Sequence, residues 1–175
     1  FYSCSGLSSI TGMNNVSSLG DWAFCYCTGI SEINLPDSVH SLGTYAFYNC
    51  SKLETVYIGR GVSDIGDSAF WGCSKLRSIS VDEMNTSFSD NNGVLFNKGQ
   101  TTLIYYPLGK TQSTYTVGLT VHNISSYAFY GLTALNSLTI PKTVTTIYQN
   151  AVSGCSNLTV LCYRNSRAHN YAISN

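Results

Sequence analysis

Charge is scarce in this chain of 175 residues: Asp, Glu, Lys and Arg make up 10% of it, and nine basic side chains cancel nine acidic ones. Neither sign forms a block, so nothing implies a polyelectrolyte partner, and neither nucleic acid nor an anionic membrane surface is expected to bind. No apolar run approaches the roughly 18 residues that a membrane helix needs, and no charged, then apolar, then small-residue leader opens the chain. Membrane insertion by this stretch is therefore not expected, and any export signal or anchor is expected to lie outside it. Hydrophobic residues make up 43% of the whole chain, with Ser, Thr and Asn filling most other positions. Solubility must come largely from hydroxyls and amides.

The hydrophobic residues are periodic. Ala-Phe pairs fall at Ala23-Phe24, Ala46-Phe47, Ala69-Phe70 and Ala128-Phe129, with Ala151-Val152 as a variant, and Phe1 lies 23 residues before Phe24. With each Phe as phase zero, phase three holds Cys4, Cys27, Cys50, Cys73, Leu132 and Cys155, and phase six holds Leu7, Ile30, Leu53, Leu76, Leu135 and Leu158. Phase nine holds Ile10, Ile33, Val56, Ile79, Leu138 and Leu161, and phases eleven, fifteen and eighteen are also aliphatic. A random sequence would not keep six apolar columns in register, so the chain is a repeat array. The gap between Phe70 and Phe129 closes when Tyr115, Val117, Val121 and Ile124 are read back to a phase zero at Tyr106. The unit from Phe70 to Tyr105 then carries 13 extra residues. Within them Val94-Leu95-Phe96, a polar turn over 97–100, and Thr101 to Tyr106 read as a β-hairpin.

Each unit contains a stretch such as Leu53-Glu54-Thr55-Val56-Tyr57-Ile58, whose alternation of apolar and polar residues predicts one half-buried strand. The segment before it, such as Ser68-Ala69-Phe70-Trp71-Gly72-Cys73, carries small and aromatic residues at near-helical spacing and predicts a short helical turn. One such unit cannot bury its Phe, Cys and aliphatics alone, so neighbours must stack, with the strands forming a parallel sheet. Seven rungs at about 4.8 Å give a body on the order of 34 Å long.

The columns Ala-Phe-x-x-Cys-x-x-Leu-x-x-Ile-x-Ile-Pro-x-x-Val-x-x-Ile resemble the BspA-like leucine-rich repeats, which occur in surface and secreted proteins of host-associated microbes. The resemblance spans essentially the whole chain, and the insertion Gly93-Val94-Leu95-Phe96-Asn97-Lys98 is similar to a recurring variant of that family. The expected fold is an α/β repeat: a right-handed leucine-rich-repeat solenoid with one short parallel strand per ~23-residue repeat and a β-hairpin insertion. It forms one domain over 1–175, with repeats starting at 1, 24, 47, 70, 106, 129 and 152, the insertion at about 83–105 and a C-terminal cap at about 164–175. Polar residues from Asn165 to Asn175, mixed with Ala168, Tyr171, Ala172 and Ile173, predict a short amphipathic helix for the cap. Phe1 starts in full register with no matching N-terminal cap, so the natural protein is expected to extend upstream.

Seven cysteines suggest disulfides in an extracellular protein, yet five of them share one inward column and read as free, buried, small apolar residues. Cys25 and Cys27 match neither zinc nor thioredoxin spacing, and Cys162, at phase ten, is expected to point outward. His40 and His122 share phase sixteen but lie three rungs apart, about 14 Å at the strand spacing, too far to share a metal. No nucleophile has a base beside it and no carboxylate pair stands together: Asp64 and Asp67 read as turn and N-cap residues. No catalysis, metal or cofactor is expected. Asp37, Arg60 and Glu83 occupy phase thirteen on successive rungs and predict a ladder of alternating charge.

Recognition remains. The outward strand positions, phases eight and ten, hold Ser9, Thr11, Glu32, Asn34, Thr55, Tyr57, Ser78, Ser80, Thr114, Thr116, Ser137 and Thr139, followed by Val160 and Cys162. From Glu32 to Thr139 this is the candidate ligand-binding face, and Tyr57 is the only large aromatic on it. A second candidate is the hairpin, where Phe88, Phe96 and Tyr105 can leave aromatic area uncovered. The family resemblance implies an adhesion module, secreted or on the cell surface, binding a protein or glycan ligand. The alternative is a spacer or assembly segment that displays another domain and binds nothing itself.

Overall fold

The structure, a computed structural model, describes residues 1–174. Its strands are β1 (Ser18–Leu19), β2 (Glu32–Leu35), β3 (Ser41–Leu42), β4 (Thr55–Ile58), β5 (Asp64–Ile65), β6 (Ser78–Val81), β7 (Phe88–Asn91), β8 (Val94–Asn97), β9 (Thr102–Tyr105), β10 (Thr114–Thr116), β11 (Asn123–Ile124), β12 (Ser137–Ile140), β13 (Thr146–Ile147) and β14 (Thr159–Cys162). A helix, α1 (Arg167–Ser174), ends the described chain. The strands are the rungs of a right-handed leucine-rich-repeat solenoid.

Alternating sequence makes the main ladders. Glu32 pairs with Thr55 and Thr55 with Ser78, so β2, β4 and β6 run parallel at a register of one repeat. In β2 and β4, Ile33, Leu35, Val56 and Ile58 are buried while the residues between them are exposed. β10, β12 and β14 form a second parallel ladder of the same kind.

Several features depart from the sequence reading, and the first repeat forms no strand at the expected positions Ser9 to Thr11. Most repeats carry a second strand at the phase-eighteen column: the two-residue strands β1, β3 and β5 pair in parallel, and the two-residue β11 and β13 do the same with the four-residue β9. The Ala-Phe segment, conversely, is not a helical turn, and α1 is the one α-helix among the described residues. The reason lies in the backbone. The residue two before each Phe column position adopts left-handed φ, 58° at Trp22, 56° at Tyr45, 55° at Ser68 and 59° at Tyr127, which a continuing right-handed helix forbids. Alternate N–H groups are thereby turned along the solenoid axis. Trp22, Phe24 and Tyr26 donate to the carbonyls of Thr44, Ala46 and Tyr48, and Tyr45, Phe47 and Asn49 to those of Asp67, Ala69 and Trp71. Gly61 marks how closely these rungs approach, because a Cβ there would run into the Asp37 carbonyl.

The inward columns stack. Phe1, Phe24, Phe47 and Phe70 lie nearly parallel with centroids 5.2, 5.3 and 5.9 Å apart, an offset stack. The column cysteines are free thiols, and all but Cys4 reach back one rung. The thiols of Cys27, Cys50, Cys73 and Cys155 donate to the carbonyls of Phe1, Phe24, Phe47 and Phe129 at 3.0, 3.2, 3.1 and 2.9 Å. Burial pushes the Cys73 thiol well up. Where the insertion displaces the next column residue, the Tyr105 hydroxyl donates to the Phe70 carbonyl instead, at 3.0 Å.

The expected hairpin is present as β8 and β9, but β7 adds a third antiparallel strand, and Gly93, at φ 76°, turns β7 into β8. The insertion divides both ladders: β6 does not pair with β10, nor β5 with β9. The core divides with them into one cluster from Met13 to Leu95 and another from Val94 to Tyr171.

The last repeat is one residue short, since Ser137 pairs with Thr159 rather than with residue 160. A one-residue slip reverses the faces of a strand. Leu161 is therefore 50% exposed, and Val160 and Cys162 pack against the core, which corrects their expected outward orientation. α1 closes this end by burying Ala168 and Tyr171 against β13 and β14. Asn175, included in the expected cap, lies outside the described residues.

Two outcomes follow from this packing. Phe47, fully buried between two rings, should cost about 3–5 kcal/mol on replacement by Ala, whereas Thr116→Ala on the exposed face should stay within about 0.5 kcal/mol; chemical denaturation of the two variants measures the difference. The second concerns pH. Burial pushes the Tyr115 hydroxyl up to about 12, above the value of about 10 it has in an unfolded chain. Its contribution to stability is complete below pH ~10 and is lost as pH rises through ~12. Thermal melts between those values should fall more steeply for the parent than for Tyr115→Phe.

Candidate recognition surfaces

The predicted strand face exists in two pieces. Glu32, Asn34, Thr55, Tyr57 and Ser80 are exposed on β2, β4 and β6, while Ser78 is half-covered. Thr114 and Thr116 are exposed on β10, with Ser137 and Thr139 half-buried on β12. The insertion separates the pieces by occupying the open edge of β6: Ile79 N–H donates to the Gly93 carbonyl at 3.0 Å and Val81 N–H to Asp90 Oδ2 at 2.9 Å. A Cβ on Gly93 would meet Ser78 Oγ at 2.6 Å, so the two segments touch here without room for a side chain.

Tyr57 is 37% exposed and its position is fixed, because its hydroxyl donates to Asp82 Oδ2 at 2.6 Å. That bond raises the Tyr57 pKa and lowers that of Asp82. The phase-thirteen ladder forms only in its first step: Arg60 Nε lies 2.7 Å from Asp37 Oδ2. It is the only ion pair found among the described residues, so Glu83 does not extend it. Of the expected hairpin aromatics, Phe96 is buried and Phe88 and Tyr105 are half-buried.

Sequence reasoning passed over a second surface. The left-handed turns project aromatic side chains from the opposite edge of the strands, and successive repeats bring them into contact. Trp22 stacks on Tyr45 with centroids 4.4 Å apart, Tyr26 meets Tyr48 edge-on at 5.3 Å, and Tyr48 meets Trp71 at 5.5 Å. Trp71 then reaches across the interruption to stack on Tyr127 at 5.5 Å and to meet Tyr130 edge-on at 5.1 Å. The signal was in the sequence: Trp22, Tyr45 and Tyr127 share one phase, as do Tyr2, Tyr48, Trp71 and Tyr130, but these columns flank the apolar ones that define the core.

Where Trp71 bridges the interruption, a cleft of about 410 Å³ opens beneath it between β5 and the β9–β11 pair. Ile65, the phase-eighteen residue of β5, is only half-buried because of it. One wall of the cleft belongs to the insertion, which Asn85 anchors. This fully buried amide donates from Nδ2 to the carbonyls of Gly59 and Val62 at 2.8 and 2.9 Å and accepts at Oδ1 from the N–H groups of Ser87 and Phe88 at 2.9 and 2.8 Å.

Among the described residues there is no group of three or more His, Cys, Asp or Glu that could hold a metal ion, and no helix is long and apolar enough to cross a membrane.

A parallel ladder of 23-residue rungs, an inward Phe and Cys column and an outward polar strand face define a leucine-rich-repeat module. The family described as the BspA type leucine rich repeat region matches residues 1–107 and 105–172 in six copies, and the chain belongs to that family. No curated protein matches it. Among solved structures it is similar to the pneumococcal vaccine antigen PcpA, at 26% identity and a TM-score of 0.69, over 83% of this chain and 42% of that one. It is also similar in fold to a leucine rich cell surface protein of Faecalibacterium prausnitzii (21% identity, TM-score 0.63, 93% of this chain and 56% of that one). A leucine-rich repeat protein of Eubacterium ventriosum is similar at 22% identity and a TM-score of 0.58, over 85% of this chain and 58% of that one. The chain thus spans less than two thirds of the length of each.

Replacing Asn85 by Ala strands two carbonyls and two N–H groups, each unmade bond at a buried group costing about 1–3 kcal/mol. Asn85→Ala should lower stability by at least about 3 kcal/mol and expose the insertion to limited proteolysis ahead of the solenoid.

Proposed function

We propose that residues 1–175 act as one repeat domain, a non-catalytic recognition and adhesion module of a secreted or cell-surface microbial protein. It binds a host protein, a glycan or another cell through the extended strand face. The observation that carries this reading is the exposed surface of β2, β4 and β6, where a rigid aromatic, Tyr57, is tied to Asp82 and stands among the small polar residues Asn34, Thr55 and Ser80. A held aromatic in a field of hydroxyls and amides presents contact area at little entropic cost, the usual character of a binding hot spot. Family membership and likeness to a vaccine antigen support a place at the cell surface. The near absence of charge argues against nucleic acid as partner.

The test is binding of the purified domain to an array of extracellular-matrix proteins and glycans, beside a folded variant carrying Tyr57→Ala, Ser80→Arg and Thr116→Arg. Saturable binding that the variant loses is the expected result. Binding that survives in the variant moves recognition off this face, and silence of the parent across the array favours a spacer.

A further inference from the structure

The geometry points to a site for a neutral carbohydrate in the cleft between β5 and β9, separate from the strand face. Its occurrence follows from the interrupted ladder. In the first rungs the N–H groups two before and at the Phe position donate to the next rung, as Trp22, Phe24, Tyr45 and Phe47 do, whereas around Phe129 only the Phe129 N–H does so, to the Ala151 carbonyl. At the interruption the Ser68 and Phe70 N–H groups meet no such carbonyl, and among the described residues neither donates a backbone hydrogen bond. Both residues line the cleft. Phe70 is buried and Ser68 half-buried, and backbone donors shielded from water are nearly always paired, so two at the edge of one cavity favour an acceptor from outside the chain.

The rest of the lining specifies what that acceptor belongs to. Trp71, Tyr127 and Tyr130 supply aromatic surface, and Tyr148, 51% exposed, stands at the rim. Facing them are short hydroxyls and an amide: Ser125, Ser126, Thr102 and Asn123. Asp67 is the single formally charged lining residue. A pyranose ring has this same division, with apolar C–H faces that pack on the electron-rich face of an aromatic ring and a perimeter of hydroxyls that both donate and accept. An anionic ligand would find no cation, and a wholly apolar one would leave the N–H groups and hydroxyls unmatched. The cavity volume of about 410 Å³ falls in the range of small-ligand pockets and suits one or two sugar rings.

The two tryptophans give a direct readout. In a Trp22→Phe background Trp71 is the sole indole, and its emission is followed during titration with lactose, cellobiose, N-acetyllactosamine and mannotriose, extended to an array of neutral glycans. The expected result is a saturable change with at least one of them. Tyr148→Ala, at the exposed rim and with an unchanged melting temperature, should weaken it about tenfold. Ser125→Phe, which fills the cleft, should abolish it. The Tyr57→Ala, Ser80→Arg, Thr116→Arg variant should retain it, so failure of the strand-face reading and failure of this one are told apart. Silence across the sugars and the array would overturn the site, as would binding indifferent to both Tyr148→Ala and Ser125→Phe. A response to an extended neutral peptide and to none of the sugars would also overturn it, showing that the open edge of β5 takes a strand instead.

Discussion

Backbone hydrogen bonding from rung to rung is the constraint on which the remaining architecture depends. A 23-residue coil has too little interior to hold its own Phe, Cys and aliphatics, so each must be completed by its neighbours, and neighbours are held in register only if N–H groups point along the axis. In the strands that orientation is automatic. On the opposite side it requires residues with left-handed φ, at Trp22, Tyr45, Ser68 and Tyr127 among others, each costing about 1–3 kcal/mol where a Cβ is present. The bonds from Phe24 to Ala46 and from Phe47 to Ala69 offset that strain, and the thiol of the Cys column adds a further link to the carbonyl of the rung behind. A free thiol is small enough for the stack and still able to donate, which accounts for cysteine in a column whose other occupants are Gly109 and Leu132.

The repeat length, the Phe and Cys columns, the strand positions and the hairpin were legible because each rests on a hydrophobic pattern with a fixed phase. What escaped had other causes. The two-residue strands at Leu42 and Ile65 are too short to show alternation, and their existence depends on pairing with the next rung. A helical turn was expected at Ala69-Phe70 from spacing alone, but the left-handed residue at Ser68 is invisible to spacing. The last repeat was read in phase through Cys162, but a single missing residue after Leu158 reversed Val160, Leu161 and Cys162, a shift the apolar character of all three concealed.

The candidate face was readable as a list of outward residues, although not as a surface. Tyr57 and Ser80 stand together with Thr55 on one ladder, whereas Thr116 and Thr139 belong to another beyond the insertion. The aromatic row was missed for a different reason. Trp22, Tyr45, Tyr48 and Trp71 occupy positions that a search for buried columns treats as variable, yet low charge makes such positions informative: with few Lys or Glu to cover the turns, stacked rings take that place and bury one another's faces.

The insertion treats its two flanking edges unequally, and this asymmetry organises both surfaces. At β6 it supplies substitutes for the missing strand, the Gly93 carbonyl for Ile79 and the Asp90 carboxylate for Val81, so the edge that would otherwise attract another chain is closed. At β5 it supplies none: β9 joins β11 instead, and Ser68 and Phe70 line a cavity. A chain that only needed to absorb extra residues could have looped them outward and kept both ladders whole. Pairing β9 with β11 and leaving one rung edge uncovered beneath Trp71 costs backbone hydrogen bonds, and a cost sustained at a polar and aromatic cavity is physically coherent if the cavity is occupied in use.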